Sequence, residues 1–154
     1  MSKDLQEMAT VPQQQLSILK RMGVQINHSV LPQNKTEYDL IIDGIIGYSI
    51  KGNPIGMSKE MIHWANEQPT KTLSLDCPSG LDLTSGKVNS PTINADATLT
   101  LAMPKKGLFA KAAKEKTGQH YLGDISVPNE LYSEPTLNLK VKNLFRYSDI
   151  LKII

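Results

Sequence analysis

The chain has 154 residues, of which 40% are hydrophobic and 21% charged, and this composition excludes a mainly disordered, collagen-like or coiled-coil protein. With 17 basic and 15 acidic side chains the net charge is +2, which is too small to indicate nucleic acid or an anionic membrane as a partner. One cysteine, Cys77, excludes a disulfide framework. We expect a single cytoplasmic domain over residues 1–154, because no apolar segment is long enough to span a membrane and the amino terminus lacks a signal-peptide core.

The first part of the chain is expected to hold one helix and two strands. Apolar residues at helical spacing predict a helix over residues 13–22, and Gly23 is a natural stop. Alternating apolar residues predict a short strand over residues 24–30. The apolar run at residues 39–47 shows little alternation, which is typical of a strand buried on both faces of a parallel sheet.

Helices and strands continue to alternate through the rest of the chain. This alternation predicts βαβ units and therefore an α/β fold with a mainly parallel sheet. The further predicted elements are a helix at 57–68, a strand at 72–76, a turn-rich connection at 82–95, a strand at 95–102, a short helix at 109–116, a last core strand at 123–127, a strand at 143–147 and a helical tail.

Two carboxylates, Asp43 and Asp76, lie at or near the carboxyl ends of predicted strands, where ligands bind in such sheets. Asp76 begins an Asp-Cys-Pro-Ser-Gly turn, in which Pro78 fixes its own φ and Gly80 permits a positive φ. A sharp turn would present backbone N–H groups and the Ser79 hydroxyl beside the Asp76 carboxylate. The turn therefore suits a polar ligand or a cation, although Asp76 capping its own turn explains the pattern equally well.

Other polar residues near these strand ends also have two interpretations. Asp43 lies in an apolar run, where an unpaired carboxylate is costly, so it needs hydrogen-bond donors, a cation or a cleft. The glycine-bearing segment 47–53 offers a hydroxyl, an amine and an amide to a ligand, or is an ordinary surface loop. The lysine pair in Pro104–Gly107 could meet a phosphate, whereas the lysines that follow are typical of a solvated helix face. Cys77 has no histidine nearby in sequence and is better explained as a buried thiol than as a nucleophile.

Four segments in order and at matching spacing resemble the YjeF N-terminal domain family, the NAD(P)H-hydrate epimerases. The resemblance covers about residues 14–128 and leaves 129–154 as a C-terminal extension. The four segments that carry it are Asp39–Gly52, Ser74–Asp82, Ala95–Leu108 and Tyr121–Pro128.

The resemblance implies a Rossmann-like, mainly parallel sheet flanked by helices and an isomerase that takes part in metabolite repair. It implies interconversion of the R and S epimers at C6 of hydrated NADH or NADPH, with an ADP- or ATP-dependent NAD(P)H-hydrate dehydratase as functional partner. It further implies a potassium ion held by Asp43 and Ser79, and Asp76 as the catalytic acid/base. The residues that it places at the nucleotide site are Gly47, Tyr48, Ser49, Ile50, Lys51, Gly52, Asn53, Asp76 and Lys105.

The family's Asn-Asn-Gly-Gly-Asp loop has no counterpart in these 154 residues. We therefore expect an N-terminally truncated version of the fold that forms a homodimer or pairs with a complementing chain, because absent strands would leave sheet edges unpaired. Two alternatives stay open: a non-catalytic nucleotide- or RNA-binding module of the same fold that dimerises, and a fragment that aggregates through its exposed edges.

Overall fold

The computed structural model describes residues 8–27, 31–32, 38–48, 50–142 and 144–153. Within these residues one sheet contains five strands that lie side by side in chain order. The first four are parallel and the fifth is antiparallel to the fourth, which confirms a mainly parallel α/β fold. The strands are β1 (Ile41–Asp43), β2 (Thr72–Leu75), β3 (Ala97–Leu101), β4 (Gln119–Gly123) and β5 (Ile150–Lys152).

Helices connect two of the three parallel pairs, as the alternating pattern predicts. The helices are α1 (Thr10–Arg21), α2 (Gly56–Glu67), α3 (Lys111–Thr117) and α4 (Asn129–Ser133), with a 3₁₀ turn at Lys106–Phe109. The chain passes through α2 between β1 and β2, and through α3 between β3 and β4. The β2–β3 connection is irregular and holds one short bridge, between Leu81 and Val88. No described helix is long and apolar enough to cross a membrane.

The two faces of the sheet differ in chemistry. One face presents buried polar side chains, since the register sets Asp43 beside Ser74, Ser74 beside Thr98, and Thr98 beside His120. The helix α2 packs on this side through Ile62 and Ala65 against Ile41, Ile45 and Ile93. A second apolar cluster forms beyond β2 from Cys77, Leu81, Leu83, Leu108 and Ala113.

The opposite face is apolar and open at the β1 edge. Ile42 is 59% exposed and Leu75 is 41% exposed, although both belong to strands. The prediction that the first parallel strand is buried on both faces is therefore wrong at Ile42. The apolar run of β1 marks a surface that no described part of the chain covers fully.

Two predicted strands lie elsewhere than expected. Residues 24–27 form no strand, and residues 28–30 of that prediction lie outside the described residues. The last core strand is β4 at Gln119–Gly123 rather than 123–127. The apolar side chains that suggested 123–127 do not enter the core, since Ile125 is 52% exposed.

The end of the chain also departs from the prediction. The segment 143–147 shows no strand in its described residues, and the final residues form β5 instead of a helical tail. Tyr121, Leu122 and Gly123 of β4 pair with Lys152, Leu151 and Ile150. This pairing joins residues far apart in sequence, so local periodicity carries no sign of it.

Candidate active site at the carboxyl edge of the sheet

The Asp43 corner, formed by Asp43, Ser74, Ser79, Ile45 and Ile46, is a buried hydrogen-bond network. The Asp43 side chain is 2% exposed, and Ser74 and Ser79 are 0% exposed. Its Oδ2 accepts from Ser74 Oγ at 2.8 Å and from the Ser79 backbone N–H at 2.8 Å. Its Oδ1 accepts from Ser79 Oγ at 2.5 Å and from the Ile45 N–H at 3.2 Å. Four neutral donors therefore offset the cost of burying this carboxylate.

The Ser79 hydroxyl ties β1 to the turn that follows β2. Besides donating to Asp43, Ser79 Oγ accepts from the Ile46 N–H at 2.8 Å and lies 3.3 Å from the Ile46 carbonyl. The turn closes sharply at Gly80, whose φ is +105°. A Cβ at Gly80 would lie 2.5 Å from the Pro91 carbonyl oxygen, so glycine is required both by conformation and by space.

The Asp76 corner, formed by Asp76, Thr100, Leu101 and Lys105, is more open. Asp76 has a φ of +66°, a left-handed conformation that is uncommon for a residue with a side chain and is concentrated at functional sites. This conformation turns its carboxylate toward the end of β3. There Oδ1 receives the Lys105 ammonium, the Leu101 N–H at 3.2 Å and the Thr100 hydroxyl at 3.3 Å.

The second carboxylate oxygen of Asp76 is free to meet a ligand. The Asp76 side chain is 24% exposed, and among the described residues Oδ2 has no hydrogen-bond partner. One oxygen is thus fixed by three donors while the other is accessible. This arrangement suits a group that gives or takes a proton.

The segment Gly47–Asn53 lies across the same edge of the sheet. The Tyr48 ring is 60% exposed, and its hydroxyl is 3.3 Å from Thr84 Oγ1. Asn53 Oδ1 accepts from the Ser90 N–H at 3.0 Å. These contacts anchor the segment to the β2–β3 connection and leave Lys51 and Gly52 exposed to solvent. Ser49 lies outside the described residues.

The two corners do not share the cavity that lies beside β1. A cavity of about 200 Å³ opens beside β1 and is lined by Asp43 together with apolar side chains such as Met61 and Trp64. Asp76 is not among its lining residues. The structure brings Asp43 and Ser79 into one network and Asp76 and Lys105 into another, at neighbouring strand ends.

Two other titratable side chains lie near these corners. Burial raises the pKa of the Cys77 thiol to about 12, and the charges of Asp76 and Asp43 add to this effect. A thiol that stays protonated is a poor nucleophile, so the interpretation of Cys77 as a buried structural thiol fits the structure. Burial also lowers the pKa of His120, with Lys105 contributing, and His120 Nε2 has no hydrogen-bond partner in the described part of the chain.

The Asp43 corner contains oxygen atoms of the kind that potassium binds. The Asp43 carboxylate, Ser79 Oγ and the Ile46 carbonyl converge through contacts of 2.5 and 3.3 Å. A hard cation prefers such oxygen ligands, so the residues present fit the group in chemical type. The described residues include no group of three or more His, Cys, Asp or Glu side chains that could hold a metal ion.

Sequence reasoning missed two members of these networks, Ser74 and Thr100. Both are buried polar residues at alternate positions of otherwise apolar strands. The signal was present in the segments Thr-Leu-Ser-Leu and Ala-Thr-Leu-Thr-Leu, where hydroxyls repeat every second residue and so share one face.

The structure is a mainly parallel α/β fold with polar side chains gathered beyond the carboxyl ends of its strands, the edge at which ligands bind in such sheets. The chain belongs to the family described as YjeF-related protein N-terminus, whose model matches residues 2–107. The family resemblance is thereby confirmed, and the model match begins and ends earlier in the chain than the resemblance seen at about 14–128.

Several named proteins are similar to this chain. An NAD(P)H-hydrate epimerase of Dehalogenimonas lykanthroporepellens is 37% identical over 134 residues, which are 87% of this chain and 53% of that protein. An NAD(P)H-hydrate epimerase of Plasmodium vivax is 31% identical, over 84% of this chain and 43% of the relative. A bifunctional NAD(P)H-hydrate repair enzyme of Moorella thermoacetica is 33% identical, over 67% of this chain and 19% of the relative.

The chain spans about half the length of the first of these relatives. Among solved structures, a crystal structure of a yeast protein aligns with a TM-score of 0.68 at 21% sequence identity. The alignment covers 96% of this chain and 62% of the yeast chain. At this level of identity, the similarity concerns the fold.

Proposed function

We propose that the chain is an NAD(P)H-hydrate epimerase, an isomerase of metabolite repair that interconverts the R and S epimers at C6 of hydrated NADH or NADPH. The observation that carries the proposal concerns the Asp76 carboxylate. Its Oδ1 is held by three donors, and its Oδ2 is accessible at the carboxyl edge of the sheet. The names of the relatives supply the reaction for which such a carboxyl group is suited.

The reaction needs a proton at one oxygen and a carbon that tolerates positive charge. Asp76 Oδ2 takes up a proton from solvent and gives it to the C6 hydroxyl, the C6–O bond breaks with its electron pair leaving on water, and the ring nitrogen lone pair forms a C6–N double bond. Water then adds to C6 from the other face, the nitrogen regains its lone pair, and the proton returns to Asp76. Nothing is oxidised or reduced, and a group in this role contributes roughly 10² to 10⁴-fold to the rate.

The segment Gly47–Asn53 is the proposed nucleotide-binding loop. Its support is its place after the carboxyl end of β1, its exposed Lys51 and Gly52, and its anchoring to the β2–β3 connection through Tyr48 and Asn53. An exposed amine can attract the diphosphate as a point charge.

A potassium ion at the Asp43 corner is part of the proposal. Asp43 and Ser79 would hold it, and a cation bound there would supply positive charge that attracts the phosphate or ribose oxygens of the nucleotide. If it binds, potassium should raise the thermal unfolding midpoint of the chain more than sodium does, and Ser79→Ala should reduce the difference, because a ligand that binds the folded state stabilises it. Equal midpoints in the two salts would contradict the potassium site.

The experiment that tests the activity follows a purified 6R epimer of hydrated NADH by chromatography, with the chain in excess over the nucleotide. We expect equilibration faster than in buffer, because a carboxyl group in this role contributes roughly 10² to 10⁴-fold to the rate. Binding of the nucleotide without faster equilibration would contradict the epimerase and favour a non-catalytic nucleotide-binding module.

The proposal includes two kinds of partner. A relative named as a bifunctional repair enzyme supports a dehydratase that acts together with this chain on the same nucleotides. The exposed apolar side chains Ile42 and Leu75, on an open face of the sheet, support self-association or pairing with a complementing chain. Sedimentation at micromolar concentration should show a species heavier than 17.0 kDa, and a stable compact monomer would contradict it. A cytoplasmic location stays a prediction.

A further inference from the structure

All three N–H donors of the Lys105 ammonium have acceptors within the chain. Its Nζ donates to Asp76 Oδ1, to the Leu101 carbonyl at 2.9 Å and to Thr100 Oγ1 at 3.3 Å. A lysine ammonium has three N–H donors, so these three acceptors use all of them. Lys105 therefore has no donor left for a phosphate or a ribose unless the network breaks.

The Thr100 hydroxyl accepts one hydrogen bond in the network and donates another. Because Thr100 Oγ1 accepts from Lys105, its own hydrogen is available to Asp76 Oδ1, which lies 3.3 Å away. The Thr100 side chain is 0% exposed, so it is fixed by packing and touches no solvent. Neighbouring Leu101 binds the network at two points, with its N–H on Asp76 and its carbonyl on Lys105.

The network acts on one oxygen only. All three donors meet Asp76 at Oδ1, so rotation of the carboxylate would break three hydrogen bonds, one of them charge-assisted. Oδ2 consequently has a fixed direction at the ligand edge. A reacting group that is held this way needs no further ordering when the substrate binds.

We propose that Lys105 and Thr100 are positioning residues, which hold Asp76 by Oδ1 and so aim Oδ2 at the C6 hydroxyl of the nucleotide. This inference rests on the proposed epimerase function. It moves Lys105 from the substrate-binding role that the family resemblance implies to a role behind the catalytic carboxyl group. It also adds Thr100, which the resemblance does not single out.

The test measures epimerisation at increasing protein concentration, with the chain in excess over the hydrated nucleotide. It yields two quantities: the saturating rate, and the protein concentration that gives half of that rate. Lys105→Met should lower the saturating rate by about 10-fold or more and leave the half-saturating concentration within about two-fold, since a misplaced reacting group lowers the rate and not the binding. Thr100→Val should lower the saturating rate less, and Thr100→Ser should restore it. The opposite split, with weaker binding and an unchanged saturating rate, would show that Lys105 contacts the substrate and would overturn the proposal.

Two controls match the variants. Lys114→Met removes an exposed lysine of α3, and Thr98→Val removes a buried hydroxyl on the same strand face as Thr100, where it donates to the Thr117 carbonyl at 2.8 Å. Both controls should keep the saturating rate. If Thr98→Val lowers it as much as Thr100→Val, the effect reflects damage to the fold and the proposal is overturned.

A measurement without substrate distinguishes this inference from the proposed function. In urea denaturation, the midpoint shifts of Lys105→Met and Asp76→Asn should not add in the double variant, because the two side chains belong to one network. Additive shifts would overturn the positioning role even if the chain is an active epimerase. A wild-type chain with no epimerase activity would contradict the proposed function and the positioning role that rests on it. The non-additivity of the two midpoint shifts would still show whether Asp76 and Lys105 belong to one network.

Discussion

The Asp43 corner and the Asp76 corner lie at the carboxyl ends of adjacent parallel strands, and they differ in burial and in the groups that hold each carboxylate. Asp43 is 2% exposed and accepts hydrogen bonds from neutral donors on both oxygens. Asp76 is 24% exposed, pairs with Lys105 and keeps one oxygen open. The first carboxylate thus fastens the turn after β2 to β1, whereas the second keeps one oxygen without a hydrogen-bond partner among the described residues.

The largest stability effect is expected for Asp43→Asn. An amide offers N–H groups where the chain presents donors, so at least two buried donors among Ser74, Ser79 and Ile45 lose their acceptor. Each such loss costs about 1–3 kcal/mol, and we expect a total of about 3 kcal/mol or more. Urea denaturation measures it, with Asp39→Asn, an exposed aspartate just before β1, as the control. A loss of unfolding free energy below about 1 kcal/mol would contradict the structural role given to Asp43.

Ser79→Ala should have the next largest effect. The variant removes the hydroxyl that donates to Asp43 Oδ1 and accepts from the Ile46 N–H, both in a buried site. The expected loss of unfolding free energy is about 1–3 kcal/mol. Ser85→Ala, in an exposed turn, is the matched control and should change the unfolding free energy by about 0.5 kcal/mol at most.

The thiol between the two corners should make stability fall in alkaline solution. The pKa of Cys77 is raised from 9.0 to about 12 in the folded chain. Its contribution to stability is therefore complete below pH 9 and is lost as the pH rises toward 12, because only the unfolded chain releases the proton in that window. Between pH 8 and pH 10 the wild type should lose about 1 kcal/mol more than Cys77→Ser, which cannot titrate there. Parallel pH profiles of the two chains would contradict the burial of this thiol.

Asp76→Asn should change stability least. The Asp76–Lys105 pair is partly exposed, and such pairs contribute about 1 kcal/mol or less. Asparagine also accepts the left-handed backbone at φ +66°, whereas alanine does not, so Asp76→Ala should be about 1 kcal/mol less stable than Asp76→Asn. Thermal and urea unfolding of the two variants measure this difference, and its absence would mean that the backbone conformation costs nothing.

Much of the fold could be predicted because its signals are local. The strand at residues 72–76, the helix at 57–68 and the turn at Gly80 follow from apolar spacing, Pro69 and Gly80, and the structure has them within a few residues. The position of β5 could not be predicted, since it depends on pairing with β4. The exposure of Ile42 likewise depends on what packs against the strand and not on the strand's own sequence.

The candidate site could be predicted in part. Asp43, Asp76 and Ser79 were identified because strand ends and a Pro-Ser-Gly turn are typical of the ligand edge of a parallel sheet. The turn was expected to set the Ser79 hydroxyl beside Asp76, but in the structure this hydroxyl donates to Asp43. The family resemblance assigned different roles to Asp43 and Asp76, but the residue pattern did not show how each carboxylate is held, because this depends on tertiary contacts with Ser74 and Thr100. The left-handed backbone of Asp76 was also missed, since sequence reasoning assigned the conformational strain of this turn to its glycine alone.

The central claim is that Asp76 transfers the proton at C6, and one comparison of rates tests it most directly. Equilibration of the purified 6R epimer of hydrated NADH is followed by chromatography with wild type, Asp76→Asn and the exposed control Asp39→Asn, at equal concentrations of folded protein. We predict that Asp76→Asn lowers the protein-dependent rate by roughly 10²-fold or more, while Asp39→Asn leaves it unchanged. Equal rates for wild type and a folded Asp76→Asn variant would contradict the assignment of Asp76 as the acid/base.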